Sequence, residues 1–467
     1  QGLLKPIPIH VNCSDESNSS KHSPSRRLRH APASSVSTTT TTRERDINTV
    51  VPYLSKLSRT EDPSMLRHAL ENIIVLLSRS TSERDVVRER GGLVPLIELL
   101  DNESGYEHST VLIQRLVVKS LSILTCQNHS NQAVICQCGG MHVLMRLDQL
   151  VTDVETKQHI CVFLAHMSTN PLLCCTTFDL ASAVLVEVLA QPISVYTVNP
   201  EAKRAAVKAL GYLCGSEQRD HQDKVRCMGG MKLMIKLLGL DAERTKLQNT
   251  DIAEAPTAAV DITSRDVETR RYTCLALGML TQCHNANGIY LREHGGILAV
   301  LQVLQCADQY LQTYCSNLTA GTSKHTAPGG HKHITLSNTP TPRTHSMNTL
   351  RSISAVGASI TTIEHTQSMG LKHDLLTVRY AARVMAHVSA VVQNQEYIYQ
   401  KEGVYTLLSI LKRALESETK LYCIIALANL CNNQLAIQNE IRNCNGMMIL
   451  SRIYETILPS DQHFVEI

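Results

Sequence analysis

The chain has almost no large aromatic side chains. Its 467 residues include no tryptophan and only three phenylalanines, and aromatic residues make up 4% of the total. A core of this composition must be filled by Leu, Ile, Val, Met and Cys. The net charge is also small, +3 at pH 7, so charge alone gives no reason to expect a nucleic-acid partner.

The sequence also lacks the short motifs that carry catalysis. It contains no G-x-S-x-G, Walker A, H-E-x-x-H or paired C-x-x-C pattern. We therefore predict a non-enzymatic protein with no cofactor and no metal site. His331 and His333, with His325 nearby, have no Asp, Glu or Cys close to them in the sequence. This favours a solvated loop over a metal site. No apolar run approaches the length of a membrane span, so we expect no membrane insertion.

The sixteen cysteines are scattered rather than grouped. Cys126, Cys161, Cys214, Cys274 and Cys423 each stand alone in an apolar stretch. A free cysteine in such a stretch behaves as a small hydrophobic residue. Scattered spacing indicates a reducing compartment rather than a disulfide framework, so we expect a cytoplasmic protein, with the nucleus as a second location.

One pattern returns along the chain, and 270–304 is its clearest copy. There an amphipathic helical stretch is followed by a polar break, a short helix, Gly295-Gly296 and a second apolar helix. Equivalent glycines occur at Gly91-Gly92, Gly139-Gly140, Gly229-Gly230, Gly403 and Gly446. Ala181-Ser182-Ala183 replaces them in the middle copy. Gly403 and Gly446 are 43 residues apart, and a period of about 40–47 residues is typical of an α-solenoid.

The sequence motifs inside the copies resemble those of the armadillo repeat. Residues 426–431 read ALANLC, and 90–100 read RGGLVPLIELL. They are similar to the ALxNL end of the third armadillo helix and to the GGLxPLxxLL corner between its first and second helices. The resemblance covers roughly 63–457. It implies an all-α fold, a right-handed α-solenoid superhelix of about seven armadillo-type three-helix repeats.

The organisation predicted from these patterns has four parts. Residues 1–45 are a Ser/Thr-rich tail, too polar to order themselves. Residues 46–460 form the solenoid, which is interrupted by two long disordered loops at 241–264 and 308–372. Thr339, Thr341 and Ser354 in the second loop are candidate phosphorylation sites. Because the chain starts at Gln1 and stops after a second helix, we expect it to be a fragment or a module of a longer protein.

The resemblance also implies a binding groove lined by the third helices. Aligning on Asn429 places Ile123, His166, Tyr212, Met279 and His387 at the equivalent position, which we call the ladder position. Residues four and eight places earlier share its helix face, and many of them are basic. The predicted groove consists of Arg115, Lys119, Arg204, Lys208, Tyr212, Arg271, Arg379, Arg383, His387 and Asn429. Such a stripe would attract extended acidic segments of a protein partner; the alternative interpretation is that these charges form a solvated helix face.

Three functions remain open on the sequence. The first is a protein-interaction scaffold that binds acidic segments. Armadillo receptors for basic import signals use groove tryptophans, which this chain lacks. The second is a regulatory module that senses a nucleotide-like ligand near Arg204, Lys208 and Tyr212. The third is a structural linker of the cytoskeleton or cilium. The oligomeric state and the role of the two loops stay undetermined.

Overall fold

A computed structural model describes residues 62–79, 81–101, 108–192, 199–215, 218–238, 262–322, 369–432 and 434–457. In these ranges the chain is helical apart from short turns and caps, and none of them contains a strand. The predicted tail 1–45 and most of the two predicted loops lie outside the described residues. The predicted phosphorylation sites Thr339, Thr341 and Ser354 lie outside them as well.

The helices follow one another in groups of three. The first part of the chain contains α1 (Pro63–Arg79), α2 (Thr81–Glu89), α3 (Leu93–Asp101), α4 (His108–Thr125), α5 (His129–Gln137), α6 (Gly140–Leu150), α7 (Val154–Met167), the 3-10 turn Pro171–Leu173, α8 (Cys174–Ala190), α9 (Pro200–Leu213), α10 (Arg219–Cys227) and α11 (230–238). The second part contains α12 (Ile262–Thr281), α13 (Asn285–Glu293), α14 (Gly296–Thr322), α15 (Met369–Ser389), α16 (Val392–Gln400), α17 (Gly403–Arg413), α18 (Ser417–Cys431), α19 (Leu435–Asn443) and α20 (Gly446–Ile457).

The stack is held together by α1, α4, α7, α9, α12, α15 and α18, which we call the third helices. Each of them packs along the next one in chain order, and these are the most extensive helix pairings in the part of the chain that is described. The buried side chains form one continuous cluster that runs from Leu66 to Ile453. This is how a solenoid is built, because each repeat contacts only its neighbours. The predicted fold class, an all-α solenoid of about seven three-helix repeats, is confirmed.

The corner between a first and a second helix explains the glycine pattern. Gly139 has a φ of 76°, which glycine adopts without penalty. A Cβ on Gly140 would lie 2.7 Å from the Ile135 side chain, so the second position has no room for a larger residue. In the last two copies Glu402 and Asn445 adopt φ values of 58° and 57°. The first glycine is therefore replaceable at some conformational cost, whereas the second is required by space.

The middle copy has no such corner. Instead of separate first and second helices it has the short turn Pro171–Leu173 followed by the continuous α8. Ala181 and Ser182, which stand where the glycines would be, are buried inside that helix. Without a glycine to end the first helix, the chain has no reason to turn there.

The predicted loop boundaries need correction where the structure describes them. α14 continues to Thr322, well past the expected loop start at 308, and α12 and α15 already begin at Ile262 and Met369. Asp308 is paired with Arg413 at 2.7 Å, and Leu311 is buried. The polar composition of 308–322 suggested a loop, but the segment has no proline, and these contacts attach its first turn to the repeats.

The expectation that no segment is long enough for a membrane span also needs correction. Among the described residues, Pro171–Ala190 is long and apolar enough by length and composition alone, with a mean hydropathy of 1.9. Half of that stretch is buried inside the fold, and α8 packs against α9. The core helix of a solenoid repeat has the same composition as a membrane span, which accounts for the match.

Candidate functional site

One stripe of each third helix escapes burial over most of the stack. Between residues 201 and 213 of α9, the residues that stay at least partly exposed are Glu201, Arg204, Lys208 and Tyr212. On α7, Val162 and His166 do the same. These residues are three or four places apart, which puts them on one side of the helix. We call this surface the third-helix face; it carries the ladder position and the positions four and eight residues before it.

The position eight residues before the ladder links consecutive repeats. Arg115 donates to both carboxylate oxygens of Asp153, at 2.8 and 3.0 Å, and lies 2.6 Å from Glu155. Arg204 of α9 is ion-paired with Glu268 of α12. Asp153 is the N-cap residue of α7 and Glu155 lies in its first turn, where negative charge is also favoured by the helix dipole. Glu268 lies in the second turn of α12.

The same link recurs further along the stack. Arg379 donates to the two oxygens of Glu416, both at 3.0 Å, and lies 2.6 Å from Glu418. On α7 the position is Gln158, which donates to Glu201 at 2.7 Å. The prediction that Arg115, Arg204 and Arg379 supply charge to a ligand is therefore corrected. Their charges are already paired within the chain, where they join one repeat to the next.

Removal of one of these arginine–carboxylate pairs is expected to cause a measurable loss of stability. Replacing Arg379 with Gln is expected to lower the free energy of unfolding by about 1 kcal/mol, since the pair is bidentate and partly buried. The matched control is Arg442→Gln, because Arg442 makes only an exposed contact to Asn439 within its own helix. Urea unfolding followed by circular dichroism measures both, and equal effects of the two substitutions would contradict the proposed link.

The position four residues before the ladder holds cations of a different kind. Lys119 and Lys208 are half-buried, and neither contacts a carboxylate within the described ranges. The Lys208 ammonium lies 5.0 Å from the centre of the Tyr272 ring and 5.8 Å from that of Tyr212. Rings at this distance attract a cation and hold it in place, so the charge of Lys208 is positioned but not neutralised.

The third-helix face is closed on α12. Leu275 and Met279 are buried, with 4% and 3% exposure. Arg383 of α15 lies across them, and its guanidinium donates to Gln282 Oε1 at 2.7 Å and contacts Met279 Sδ at 3.4 Å. The cover packs closely on Gly278, where a Cβ would be in ordinary van der Waals contact with the Arg383 side chain at 3.6 Å. The predicted basic stripe is therefore interrupted, and Arg383 is a buried cover rather than an exposed cation.

Arg271 is also withdrawn from the surface. It is 8% exposed, stacks 4.5 Å above the Tyr272 ring and donates to its hydroxyl at 2.9 Å. Glu268 lies 3.9 Å away. Arg271 was predicted to contact a ligand directly. In the structure it instead holds Tyr272, whose ring lies beneath Lys208.

The polar ladder residues bond to the preceding repeat. The amide nitrogen of Asn429 donates to the Ala386 carbonyl at 3.1 Å and to Ser389 Oγ at 3.2 Å. His166 Nδ1 lies 2.8 Å from the Ser122 carbonyl. Ala386 and Ser122 each precede a ladder residue, so the two bonds are equivalent. Asn429, which was predicted to line the groove, thus has both of its side-chain N–H groups engaged within the chain.

Two ladder histidines are kept neutral by their surroundings. Burial lowers the pKa of His166 to about 4 and that of His387 to about 3, and the positive charge of Arg383 adds to the effect at His387. The Arg383 Nε donates to His387 Nε2 at 3.4 Å, a bond that requires the neutral imidazole. His387 therefore supports the cover over α12.

Three glutamines that were not predicted from the sequence form hydrogen bonds to the backbone of the ladder residues. Each one lies near the start of a first helix and donates to the carbonyl of the next ladder residue. The bonds are Gln132 to His166 at 2.9 Å, Gln222 to Met279 at 2.7 Å and Gln395 to Asn429 at 2.9 Å. The signal was present in the sequence, since an Asn or His precedes each of these glutamines at the same point of the repeat.

The buried cysteines have inert surroundings. Burial raises the pKa of Cys161, Cys274 and Cys423 to about 12. A thiol with such a pKa stays protonated at neutral pH and is a poor nucleophile. These three side chains fill the core, as their isolated positions in the sequence predicted.

Comparison with known proteins gives structural likenesses alone. No family model matches the sequence, and no curated protein matches it. A designed armadillo-repeat protein is 17% identical over 54% of this chain and 91% of its own, with a TM-score of 0.42. An engineered protein from a structural genomics consortium is 16% identical over 87% of this chain and 94% of its own, with a TM-score of 0.44. Another designed armadillo-repeat protein, in complex with the peptide (KR)4, is 18% identical over 54% and 91%, with a TM-score of 0.42. Nothing about function follows from similarity at this level.

Proposed function

We propose that this chain is a non-enzymatic scaffold that binds an extended, acidic segment of a protein partner along its third-helix face. The observation that supports this most directly is the contrast between two rows of cations. Arg115 and Arg379 are neutralised by acids of the next repeat, whereas Lys119 and Lys208 stay without a carboxylate partner in the described residues. Charge that the fold leaves unused is available to a partner.

An extended segment suits this face because of its regularity. Consecutive third helices lie side by side and present equivalent positions at each step. A partner that runs across them therefore meets the same surroundings at regular intervals. Extended peptides match such a surface because their own side chains recur at regular spacing.

An acidic segment suits it because the two lysines are held in place and partly removed from water. The rings of Tyr212 and Tyr272 restrict where the Lys208 ammonium can lie. A restrained cation loses less side-chain entropy when a carboxylate arrives, which favours binding. Complementary charge also fixes the orientation of the partner and excludes basic segments.

A second candidate is a nucleotide-like ligand bound by the same cluster. Two tyrosine rings next to an ammonium group offer a stacking surface and a charge for a ligand that has both a ring and phosphates. In this case the chain would be the regulatory module of a larger signalling enzyme. A melting temperature that rises with a dinucleotide but not with acidic peptides would favour this candidate.

Reversal of the two lysine charges tests the proposal. The Lys119→Glu/Lys208→Glu double variant is expected to bind a fluorescently labelled Glu/Leu-rich peptide about 100-fold more weakly, about tenfold for each lysine, because repulsion replaces attraction at two separate sites. Fluorescence anisotropy at physiological salt measures the change. Arg383 is left unaltered because it is buried.

The matched control is Lys232→Glu/Lys236→Glu, which changes the net charge equally at two exposed positions of the second helix α11. The control is expected to keep the wild-type affinity within about twofold, apart from the general effect of net charge. Unchanged affinity in the Lys119/Lys208 variant, or an equal loss in both variants, would rule out the third-helix face as the acidic binding site.

A further inference from the structure

Cations and apolar residues alternate at the position four residues before the ladder. In chain order from α4 to α18 the residues are Lys119, Val162, Lys208, Leu275, Arg383 and Ile425. The first three are half-buried and lie on the open part of the third-helix face. Leu275 and Arg383 are buried. The open part of the face thus presents one cation, one apolar residue and a second cation on three consecutive helices.

The two lysines occupy equivalent places. Lys208 reaches forward over Tyr272, seven residues before the ladder residue of α12. Lys119 holds the same position on α4 as Lys208 does on α9, four residues before the ladder residue. Because α4 packs on α7 and α7 on α9, the two lysines are separated by two full steps between third helices.

The distance between the two lysines determines how many residues of an extended partner segment span it. Packed helices lie about 8–10 Å apart, so two steps span about 16–20 Å. An extended peptide in the polyproline II conformation advances about 3.1 Å per residue and repeats its side-chain direction about every three residues. It covers that distance in about six residues, with the first, fourth and seventh side chains on one face. A side chain midway between the two acids would lie over Val162 on α7.

Both ends of this stretch are closed to further acidic residues. On α1 the equivalent position is Glu71, which is paired with Arg67 at 2.8 Å and offers no cation to a carboxylate. On α12 the face is covered by Arg383. On the open part of the face, the cations for acidic side chains are thus those of α4 and α9, with the apolar Val162 of α7 between them.

We infer that the face selects a partner segment with two acidic side chains about six residues apart and an apolar side chain midway between them. The acids lie at Lys119 and Lys208, and the apolar side chain lies on Val162. This inference rests on the proposed function and adds to it the position and the spacing of the recognised residues.

Three labelled peptides of one composition test the spacing, each with two Glu and one Leu in a Gly/Ser background. The Glu residues are two, six or ten positions apart, and Leu lies midway between them. The six-residue spacing is expected to bind about tenfold more tightly than the other two, because only there can both lysines pair at once. Fluorescence anisotropy with the full chain gives the three affinities.

A specificity swap tests the middle position. In the Val162→Glu variant, a peptide with Lys in place of the midway Leu is expected to bind more tightly than the Leu peptide, reversing the wild-type order. A misfolded protein cannot produce such a gain. Equal affinities for all spacings, with binding still lost in the Lys119→Glu/Lys208→Glu variant, would overturn the spacing while leaving the proposed function intact. If no peptide binds the wild type, both are overturned.

Discussion

Lowering the pH from 7 to 5 is expected to reduce the free energy of unfolding by about 3 kcal/mol through two buried histidines. The pKa of His166 is held at about 4 and that of His387 at about 3, chiefly because burial disfavours the charged imidazole. In the unfolded chain both groups titrate near 6.5. The unfolded state therefore takes up protons first, and stability falls as the pH drops below about 6.5.

Urea unfolding at pH 7, 6 and 5, followed by circular dichroism, measures this slope. The His166→Gln/His387→Gln double variant removes both imidazoles and is expected to flatten the pH dependence over that range. His142→Gln changes an exposed histidine of α6 and is expected to leave the slope as it is. If the double variant keeps the full wild-type slope, the buried histidines are not its cause.

One of the two histidines belongs to the candidate binding face. His166 lies on α7, between the helices that carry Lys119 and Lys208, and it bonds to the carbonyl of Ser122 on α4. Its pKa in the folded chain is about 4, so the imidazole stays neutral between pH 7 and 5 and the interface that sets the distance between the two lysines keeps this bond. We therefore expect His166 to leave the peptide affinity of the folded protein unchanged over the pH range in which stability falls.

The repeat pattern was readable from the sequence because its causes are local. The second glycine of each corner is required by the side chain five residues before it, as Gly140 is by Ile135. The alignment on Asn429 was equally accurate, and Arg115, Arg204 and Arg379 do occupy the same place on their helices. Helical periodicity and a fixed repeat length are sufficient for that result.

The use of those arginines was not readable, because it depends on packing between repeats. Asp153 lies 38 residues after Arg115, and Glu416 lies 37 residues after Arg379. A sequence pattern shows that such residues share a helix face, but not which neighbour they reach. The cover over α12 is a stronger case, since Arg383 meets Gln282 across 101 residues.

Replacing Phe163 with Ala is expected to lower the free energy of unfolding by about 3–5 kcal/mol, the usual range for removing a buried phenylalanine ring. Phe163 is fully buried on α7 and is one of three phenylalanines in a chain that has no tryptophan. Urea unfolding measures the loss. Leu172→Ala is the matched control, because Leu172 is 92% exposed and its truncation is expected to cost less than about 0.5 kcal/mol.

The position of Phe163 gives this substitution a second consequence. In a solenoid each repeat is stabilised by its neighbours alone, and α7 is the link between α4 and α9. A cavity in α7 weakens the element that fixes the distance between Lys119 and Lys208, so the preference for one peptide spacing should diminish before binding is lost. A variant that loses stability as expected yet keeps the full spacing preference would show that α7 does not set the distance.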